Sequence, residues 1–218
     1  SVDTLSTSKA DQQKLIVDKH NELRRGVNPP ASNMLKMEWN PETAKNAQVW
    51  ANRCTFQHSP SAMRKTNVSC GENLFMSSIP FSWPDVIQAW YDEERDFKYG
   101  IGKTRPSAMV GHYTQLIWYS SYQVGCAVAY CPNSRYNYFY VCHYCPPGNN
   151  PLQITTPYKR GPRCGECPGH CDRGLCTNPC RHQDVLTNCA NLRSLFGCEF
   201  PLVKTKCPAT CRCTTEIR

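Results

Sequence analysis

Four side chains in the first half of the chain have the chemistry of metal ligands or proton-transfer groups. They are His58 in "FQHSP", Glu72 in "CGENL", Glu93 in "YDEER" and His112 in "GHYTQ". Two imidazoles and two carboxylates could bind Zn²⁺ with room left for water, or could form an acid–base set. Their spacing does not show that they converge, and four ordinary side chains remain the simpler interpretation of the residues taken one by one.

The cysteines offer a second chemistry. The 218-residue chain contains 16 of them, and most follow residue 160. Cys142-x2-Cys145 followed by Cys164-x2-Cys167 has the spacing of a zinc ribbon. A zinc site needs only four thiolates, however, and the remaining cysteines would have no role. We therefore interpret the cysteines as disulfides of a secreted, extracellular protein.

Charge and hydropathy exclude two classes of partner. The net charge of +8 is spread along the chain, and only "YKRGPR" (158–163) is locally basic. A nucleic-acid-binding protein would show a clustered basic face. No apolar run is long enough to span a membrane, so we expect no membrane insertion. The polar first residues predict a mature N terminus left after a signal peptide is removed.

The elements that position these side chains follow from capping and periodicity. A first helix is predicted to end at Gly26, and a second to begin after the cap Asn40 with Pro41 in its first position. A third helix, capped by Ser82, is predicted to carry Glu93 on its apolar side. "TQLIWYS" (114–120), residues 124–130 and "YNYFYVCHY" (136–144) are predicted strands. Together they predict an α+β fold in which helices cover a sheet.

The last third of the chain has a different organisation. "PPGNNPLQITTPYKRGPRCG" lacks apolar periodicity, and its prolines and glycines indicate a linker. From Cys180 the spacing becomes C-x8-C-x8-C-x8-C-x3-C-x1-C, which ends at Cys213. A segment of this size cannot bury a sufficient core and needs covalent support.

Several motifs resemble those of the cysteine-rich secretory proteins of the CAP superfamily, which also includes pathogenesis-related proteins and insect venom allergens. They are "HNELRR", "HSP", "CGENL", "GHYTQLIWYSSYQVGCAVAYC", "YFYVCHYCPPGN" and "CTNPC". The resemblance covers almost the whole chain. It implies an α-β-α sandwich CAP domain at 1–160, a disulfide-stapled hinge at 161–179 and a six-cysteine module at 180–218. We call these the large domain, the hinge and the terminal module.

The resemblance also implies the roles of individual side chains. His58 and His112 would bind zinc or another divalent cation, with Glu72 and Glu93 in the same cleft and no cofactor required. The disulfides it implies are Cys54–Cys131, Cys70–Cys145, Cys126–Cys142, Cys164–Cys171, Cys167–Cys176, Cys180–Cys213, Cys189–Cys207 and Cys198–Cys211. Bridges that close loops of this size contribute about 3 kcal/mol each by the chain-entropy estimate. Separately, Asn67 in "NVS" is a candidate N-glycosylation site.

The terminal module also resembles the sea-anemone potassium-channel toxins. A rigid scaffold loses little entropy on binding, and surface cations suit the acidic mouth of a cation channel. The candidate contact residues are Arg193, Phe200, Leu202, Lys204 and Lys206. Phe196 shares a helical stripe with Leu192 and Leu195, which favours a core position for it.

The function that the resemblance implies is non-enzymatic. We expect a modulator of a potassium, calcium or cyclic-nucleotide-gated channel that acts from the extracellular side. The alternatives are a reproductive-tract protein for sperm maturation or gamete recognition, a sterol or lipid carrier, and a metal-dependent hydrolase of the CAP cleft. The expected partner is a membrane channel or another cell-surface protein, and a venom or a male reproductive source fits equally well.

Overall fold

Helices begin where the caps predict. The computed structural model describes residues 1–218, and its first helices are α1 (Ala10–Arg25), α2 (Pro41–Ala51), α3 (Trp83–Tyr91) and α4 (Gly111–Leu116). The side chain of Asn40 accepts a hydrogen bond from Thr43 N, and that of Ser82 accepts one from Asp85 N. Both caps satisfy an amide that the first helical turn leaves without a backbone partner.

A four-stranded sheet forms the middle layer of the large domain. The strands of this part of the chain are β1 (Glu38–Trp39), β2 (Gly71–Ser77), β3 (Phe97–Lys98), β4 (Gly102–Lys103), β5 (Gln123–Tyr130) and β6 (Tyr138–Cys145). The sheet order is β1-β5-β6-β2, and β3 and β4 form a separate pair. β6 is antiparallel to β5 and β2, and β1 is parallel to β5 at the edge. The strands predicted at 124–130 and 136–144 are confirmed as β5 and most of β6.

Helices cover both faces of the sheet. α1 and α3 contribute Ile16 and Trp83 to a cluster of 21 buried residues on one face. α2 contributes Ala47 to a second cluster on the other face. Gly125 of β5 allows α2 to approach closely, since a Cβ there would lie 2.2 Å from Ala44 N. The predicted helix–sheet–helix sandwich is confirmed.

Two sequence predictions were wrong in this domain. "TQLIWYS" is not a strand, because its first three residues complete α4 and Ile117 ends that helix as its cap. A short apolar run cannot distinguish a buried helix from a buried strand, and here the run packs as a helix end. The third helix also stops earlier than predicted, so Glu93 lies in a following 3₁₀ turn, Asp92–Asp96.

The predicted linker is packed against the large domain. Tyr158 is buried, and its hydroxyl donates a 2.6 Å hydrogen bond to Pro29 O. Ser32 N donates to Lys159 O, and Arg160 forms an isolated β-bridge with Ala31. The segment lacks apolar periodicity because it crosses the surface as irregular chain, but backbone and tyrosine hydrogen bonds hold it there.

The hinge and the terminal module contain short elements. These are β7 (Cys171–Asp172), β8 (Leu175–Cys176), α5 (Cys189–Phe196), α6 (Pro201–Lys206) and α7 (Pro208–Arg212). Backbone hydrogen bonds between Lys36 and Cys176, and between Cys176 and Met34, join the hinge to the large domain. Tyr119 also donates its hydroxyl to Arg218 O. No helix combines the length and hydropathy needed to cross a bilayer.

All sixteen cysteines form disulfides, and the eight pairs are those implied by the family resemblance. No cysteine is free. Cys142 pairs with Cys126, and Cys145 pairs with Cys70. The zinc-ribbon spacing therefore has no metal-binding meaning in this fold.

Candidate functional site

The first histidine–glutamate pair joins β2 to the loop after α2. Glu72 lies on β2, and its side chain is 1% exposed. Glu72 Oε1 is 2.8 Å from His58 Nδ1, whereas the His58 side chain is 60% exposed. A buried carboxylate thus orients an imidazole that faces solvent.

The Glu72 carboxylate is saturated by hydrogen bonds from the protein. Besides His58, Oε1 accepts from Ser59 N at 2.9 Å, and Oε2 accepts from Ser59 Oγ at 2.6 Å and from His143 Nε2 at 2.8 Å. Burial alone raises the pKa of Glu72, but the hydrogen bonds from His143, His58 and Ser59 outweigh it and hold this pKa well below its ordinary value. Glu72 is therefore an anion that supports its neighbours rather than a free metal ligand.

Sequence reasoning missed His143. It lies opposite Glu72 in the β2–β6 register and is fully buried. Burial lowers its pKa, so the ring is neutral and donates Nε2–H to Glu72, while Nδ1 has no hydrogen-bond partner in the protein. The motif "YFYVCHYC" predicts a strand, but no local signal pairs His143 with Glu72.

The second pair is held between α4 and the turn after α3. His112 Nδ1 lies 2.7 Å from Glu93 Oε2, and Glu93 Oε1 accepts from Tyr113 N at 2.9 Å. The His112 ring stacks on Trp90, with 16° between the planes. The hydrogen bond to Glu93 orients the edge of the imidazole, and the stacking on Trp90 orients its plane.

Both pairs have the arrangement that supports a metal-binding histidine. A carboxylate engages Nδ1 of His58 and of His112, and such a partner raises the basicity of the opposite nitrogen, Nε2. Asn73, next to Glu72, donates a 3.1 Å hydrogen bond to His112 O, so the two pairs lie on adjoining elements. The donor set fits a divalent cation held by two imidazoles, with the glutamates as supporting groups.

The four side chains do not form a compact ligand cluster. Groups of three or more potential ligand atoms within 4.8 Å occur at Cys164, Cys167 and Cys176, and at Asp184, Cys189 and Cys207. The cysteines of both groups are in disulfides and supply no thiolate. A cation at the histidines would thus take its remaining ligands from water or from a partner.

The candidate contact residues lie on the outer surface of the terminal module. Phe200 and Leu202 are 42% and 45% exposed, and Lys204 and Lys206 are exposed on α6. Arg193 is exposed, although its Nη1 donates to Thr210 O at 3.1 Å.

The predicted core position of Phe196 is wrong. Its side chain is 53% exposed and that of Leu195 is 73% exposed. Phe196 stacks on Phe200, with ring centroids 4.8 Å apart. Disulfides occupy the interior of the module, so only Leu192 of the apolar stripe packs partly against a core cluster. The exposed side chains of Leu195, Phe196, Phe200 and Leu202 form what we call the apolar patch.

Asn67 is exposed. It lies in the loop between the 3₁₀ helix Ser61–Arg64 and β2. A glycan could be attached there without disturbing packed residues, and glycosylation stays a prediction.

Comparisons with known proteins place this architecture in a class. Residues 17–144 match the family described as "CAP: Cysteine-rich secretory protein family". A solved structure described as NaASP2 with Zn²⁺ is 31% identical, with a TM-score of 0.63, and the match covers 78% of this chain and 96% of that one. BmVAL-1 is 25% identical with a TM-score of 0.65, over 79% of this chain and 96% of that one. The sandwich is that of a CAP-domain protein.

The C-terminal part narrows the assignment. Residues 164–218 match the family described as "Crisp". Cysteine-rich secretory protein 2 of Homo sapiens and that of Cavia porcellus are each 58% identical, over 98% of this chain and 88% of theirs. The chain belongs to the cysteine-rich secretory protein family. Its eight disulfides fit the oxidising environment outside the cytosol.

Proposed function

We propose that this protein is a secreted, non-enzymatic modulator of a membrane ion channel, which it binds from the extracellular side through its terminal module. The observation that carries this proposal is the apolar patch. Its four large apolar side chains are exposed within eight residues of a module that is otherwise held together by disulfides. Phe196 and Phe200 are in contact, and contiguous exposed apolar surface marks sites of interaction with a protein or a membrane.

Charge gives the patch a preference among partners. Lys204 and Lys206 follow Phe200 and Leu202 on α6, and Glu199 is the one acidic residue nearby in sequence. Cations beside an apolar surface suit the acidic outer mouth of a cation channel. Because the aromatic pair is stacked and the scaffold is crosslinked, little conformational entropy is lost on binding. The four apolar side chains favour occlusion by a broad surface.

The large domain has a supporting role in this proposal. His58 and His112 would hold a divalent cation at its surface, with Glu72 and Glu93 fixing the rings. The cation could take a further ligand from the partner, which would make binding metal-dependent. The side chains of the cleft do not form a nucleophilic triad, since Ser59 Oγ donates to Glu72 and not to an imidazole.

The test is electrophysiology with the full-length, oxidised protein on a panel of potassium, calcium and cyclic-nucleotide-gated channels. We expect a current change that the double variant Phe200→Ser, Leu202→Ser weakens at least tenfold. The matched control is Ile79→Ser, Ile101→Ser, which removes two apolar side chains of the large domain that are even more exposed. An unchanged current throughout the panel at micromolar protein would count against the proposal, as would equal losses in both variants.

The same variants distinguish channel modulation from the reproductive alternative. A protein that recognises gametes would bind sperm through a cell-surface protein without altering any channel current. Sperm binding that persists while all currents stay unchanged would favour that alternative over channel modulation.

A further inference from the structure

Two arginines of the hinge meet an arginine at the end of α1. Arg25 ends α1, Arg163 belongs to "YKRGPR", and Arg173 lies at the tip of the β7–β8 hairpin. Arg163 Nε donates to Arg25 O at 2.9 Å, and Arg25 Nε donates to Arg173 O at 2.7 Å. The Arg163 side chain also lies over Gly174, where a Cβ would be 3.0 Å from Arg163 Cδ. We call these three residues the arginine cluster.

Two guanidinium groups of the cluster are held in place but not neutralised. Arg25 and Arg163 each use only Nε in a hydrogen bond within the protein, so their Nη groups make none. Neither forms a salt bridge, whereas Arg173 and Lys36 share Asp172. A guanidinium with an open Nη edge binds two oxygens of a sulfate or carboxylate in a fixed geometry.

The backbone at the hairpin tip supports a role for Arg173. Its φ is +48°, and that of the following Gly174 is +92°. The two-residue turn that this requires favours asparagine or glycine at its first position, because a longer side chain is strained there. The arginine occupies this position with its side chain 78% exposed.

Arg25 and Arg173 of the cluster line a groove of about 720 Å³ beside α1, and Arg163 adjoins it through its hydrogen bond to Arg25 O. Lys14, Lys36 and the half-buried Trp39 also line the groove. The Trp39 ring packs partly against the main core cluster. Its indole Nε1–H makes no hydrogen bond in the protein, so this donor and the exposed edge of the ring are available to a ligand.

The acidic residues of the groove do not cancel this charge. Asp18 pairs with Lys14 at 2.5 Å and Glu38 pairs with Arg181 at 3.3 Å. The open Nη edges of Arg25 and Arg163 have no such partner, so the cluster keeps an excess of positive charge.

We propose that the arginine cluster and this groove bind a sulfated glycosaminoglycan chain. An extended polyanion can place separate sulfates on the open Nη edges of Arg25 and Arg163 while a sugar ring lies against Trp39. A small phosphate or sulfate ion would bind only one of these guanidinium groups. A sulfated chain is also a polyanion of the extracellular space that the disulfides indicate. The proposal is independent of channel binding, because its residues lie outside the terminal module.

The experiment is calorimetric titration of the full-length, oxidised protein with a short heparin oligosaccharide at several salt concentrations. We expect Arg25→Gln, Arg163→Gln to weaken binding more than tenfold. The control Arg53→Gln, Arg135→Gln changes the net charge equally at two exposed arginines without salt bridges, and we expect less than a twofold effect. Arg25→Lys, Arg163→Lys keeps the charge but removes the paired Nη donors, so we expect a loss of affinity between those of the other two variants. Unchanged thermal unfolding shows that each variant is folded.

Three outcomes would overturn the inference. Equal weakening in the glutamine variant and its control would mean that binding depends on diffuse charge alone. Equal affinity for a desulfated oligosaccharide would show that sulfate is not recognised. Tighter binding to vesicles of anionic phospholipid than to heparin would identify a membrane surface as the partner.

Discussion

The large domain and the terminal module are stabilised in different ways. The main cluster of the large domain contains 21 buried residues, whereas the two clusters of the module contain three each. Four of the six residues in the module clusters are half-cystines; Val203 and Ala209 are the others. Where covalent bonds replace a core, large apolar side chains can remain at the surface, and the apolar patch consists of such side chains.

The two regions also differ in the polar groups they can bury. In the large domain, Arg24 is fully buried and donates to the carbonyls of Leu35, Leu116, Trp118 and Tyr119. A guanidinium with no carboxylate partner can be buried only where several carbonyls are already fixed by surrounding structure. The module has no interior of that size, and the polar group it buries is a neutral one, Thr210, which bonds to the half-buried Asp184.

The sharpest test of this difference removes one disulfide from each region. We expect Cys189→Ser, Cys207→Ser to unfold the module, because these sulfurs and Val203 make up one of its two clusters. The matched variant Cys54→Ser, Cys131→Ser should leave the sheet folded on its own core, although the loop it opens is longer. Hydrogen exchange, resolved to individual peptides, measures the amide protection of both regions. Protection that survives in 189–212 of the first variant would contradict covalent stabilisation of the module.

The next largest effect concerns the buried arginine of the large domain, Arg24. Burial lowers the pKa of Arg24 to about 9, which still leaves it charged at neutral pH. Arg24→Met should cost about 3–5 kcal/mol, since it leaves the carbonyls of Leu35 and Leu116 without a donor and removes a second donor from two others. In a domain of this size that lowers the melting temperature by roughly 10 °C or more. The exposed Arg95→Met serves as control, and a similar loss there would mean that Arg24 has no special role.

A pH dependence should also separate the two regions. Burial lowers the pKa of His20 from 6.5 to about 4, and its ring bonds to Ile16 O and the Tyr144 hydroxyl. Between these pH values the unfolded chain takes up a proton that the folded chain excludes. The contribution is complete above pH 6.5 and falls by about 3 kcal/mol as the pH drops to 4.

Urea unfolding of the large domain across this range measures the effect. His20→Gln should reduce the slope between pH 6.5 and 4, while His170→Gln at the exposed hinge should not. Part of the slope should remain in His20→Gln, because burial also lowers the pKa of His143. An undiminished slope in His20→Gln would mean that His20 does not contribute. Glu72 affects stability at lower pH than His20. Because its pKa is depressed, its stabilising contribution is lost only as the pH falls below the ordinary carboxyl range.

The smallest expected effect concerns the proposed metal-binding histidines, His58 and His112. Glu72→Gln removes the charge that supports His58, and we expect zinc affinity to fall 10–100-fold, as for other supporting partners of a metal ligand. Glu94→Gln, an exposed neighbour of Glu93 in the 3₁₀ turn, should have no effect. Calorimetry with zinc measures both, and His58→Ala, His112→Ala should abolish the heat. Heat that remained in the double variant would place the ion elsewhere.

Local features of the chain were sufficient to predict much of the fold. Asn40, Pro41 and Ser82 mark helix starts because capping depends on a few adjacent residues. The alternation from Val124 to Tyr130 predicts a strand for the same reason. The number of cysteines indicates an oxidising compartment without any knowledge of their partners. The candidate metal-binding histidines were predicted through motifs shared with a family.

Contacts between distant segments decided the remaining features. The register of β2 against β6 sets His143 opposite Glu72, and no local pattern contains that pairing. Phe196 has the periodicity of a core residue, yet disulfides fill the space it would enter, so it stays at the surface. Arg25, Arg163 and Arg173 meet only because the hinge folds back on the end of α1. Burial and register depend on what packs against a segment, and that is a property of the folded chain.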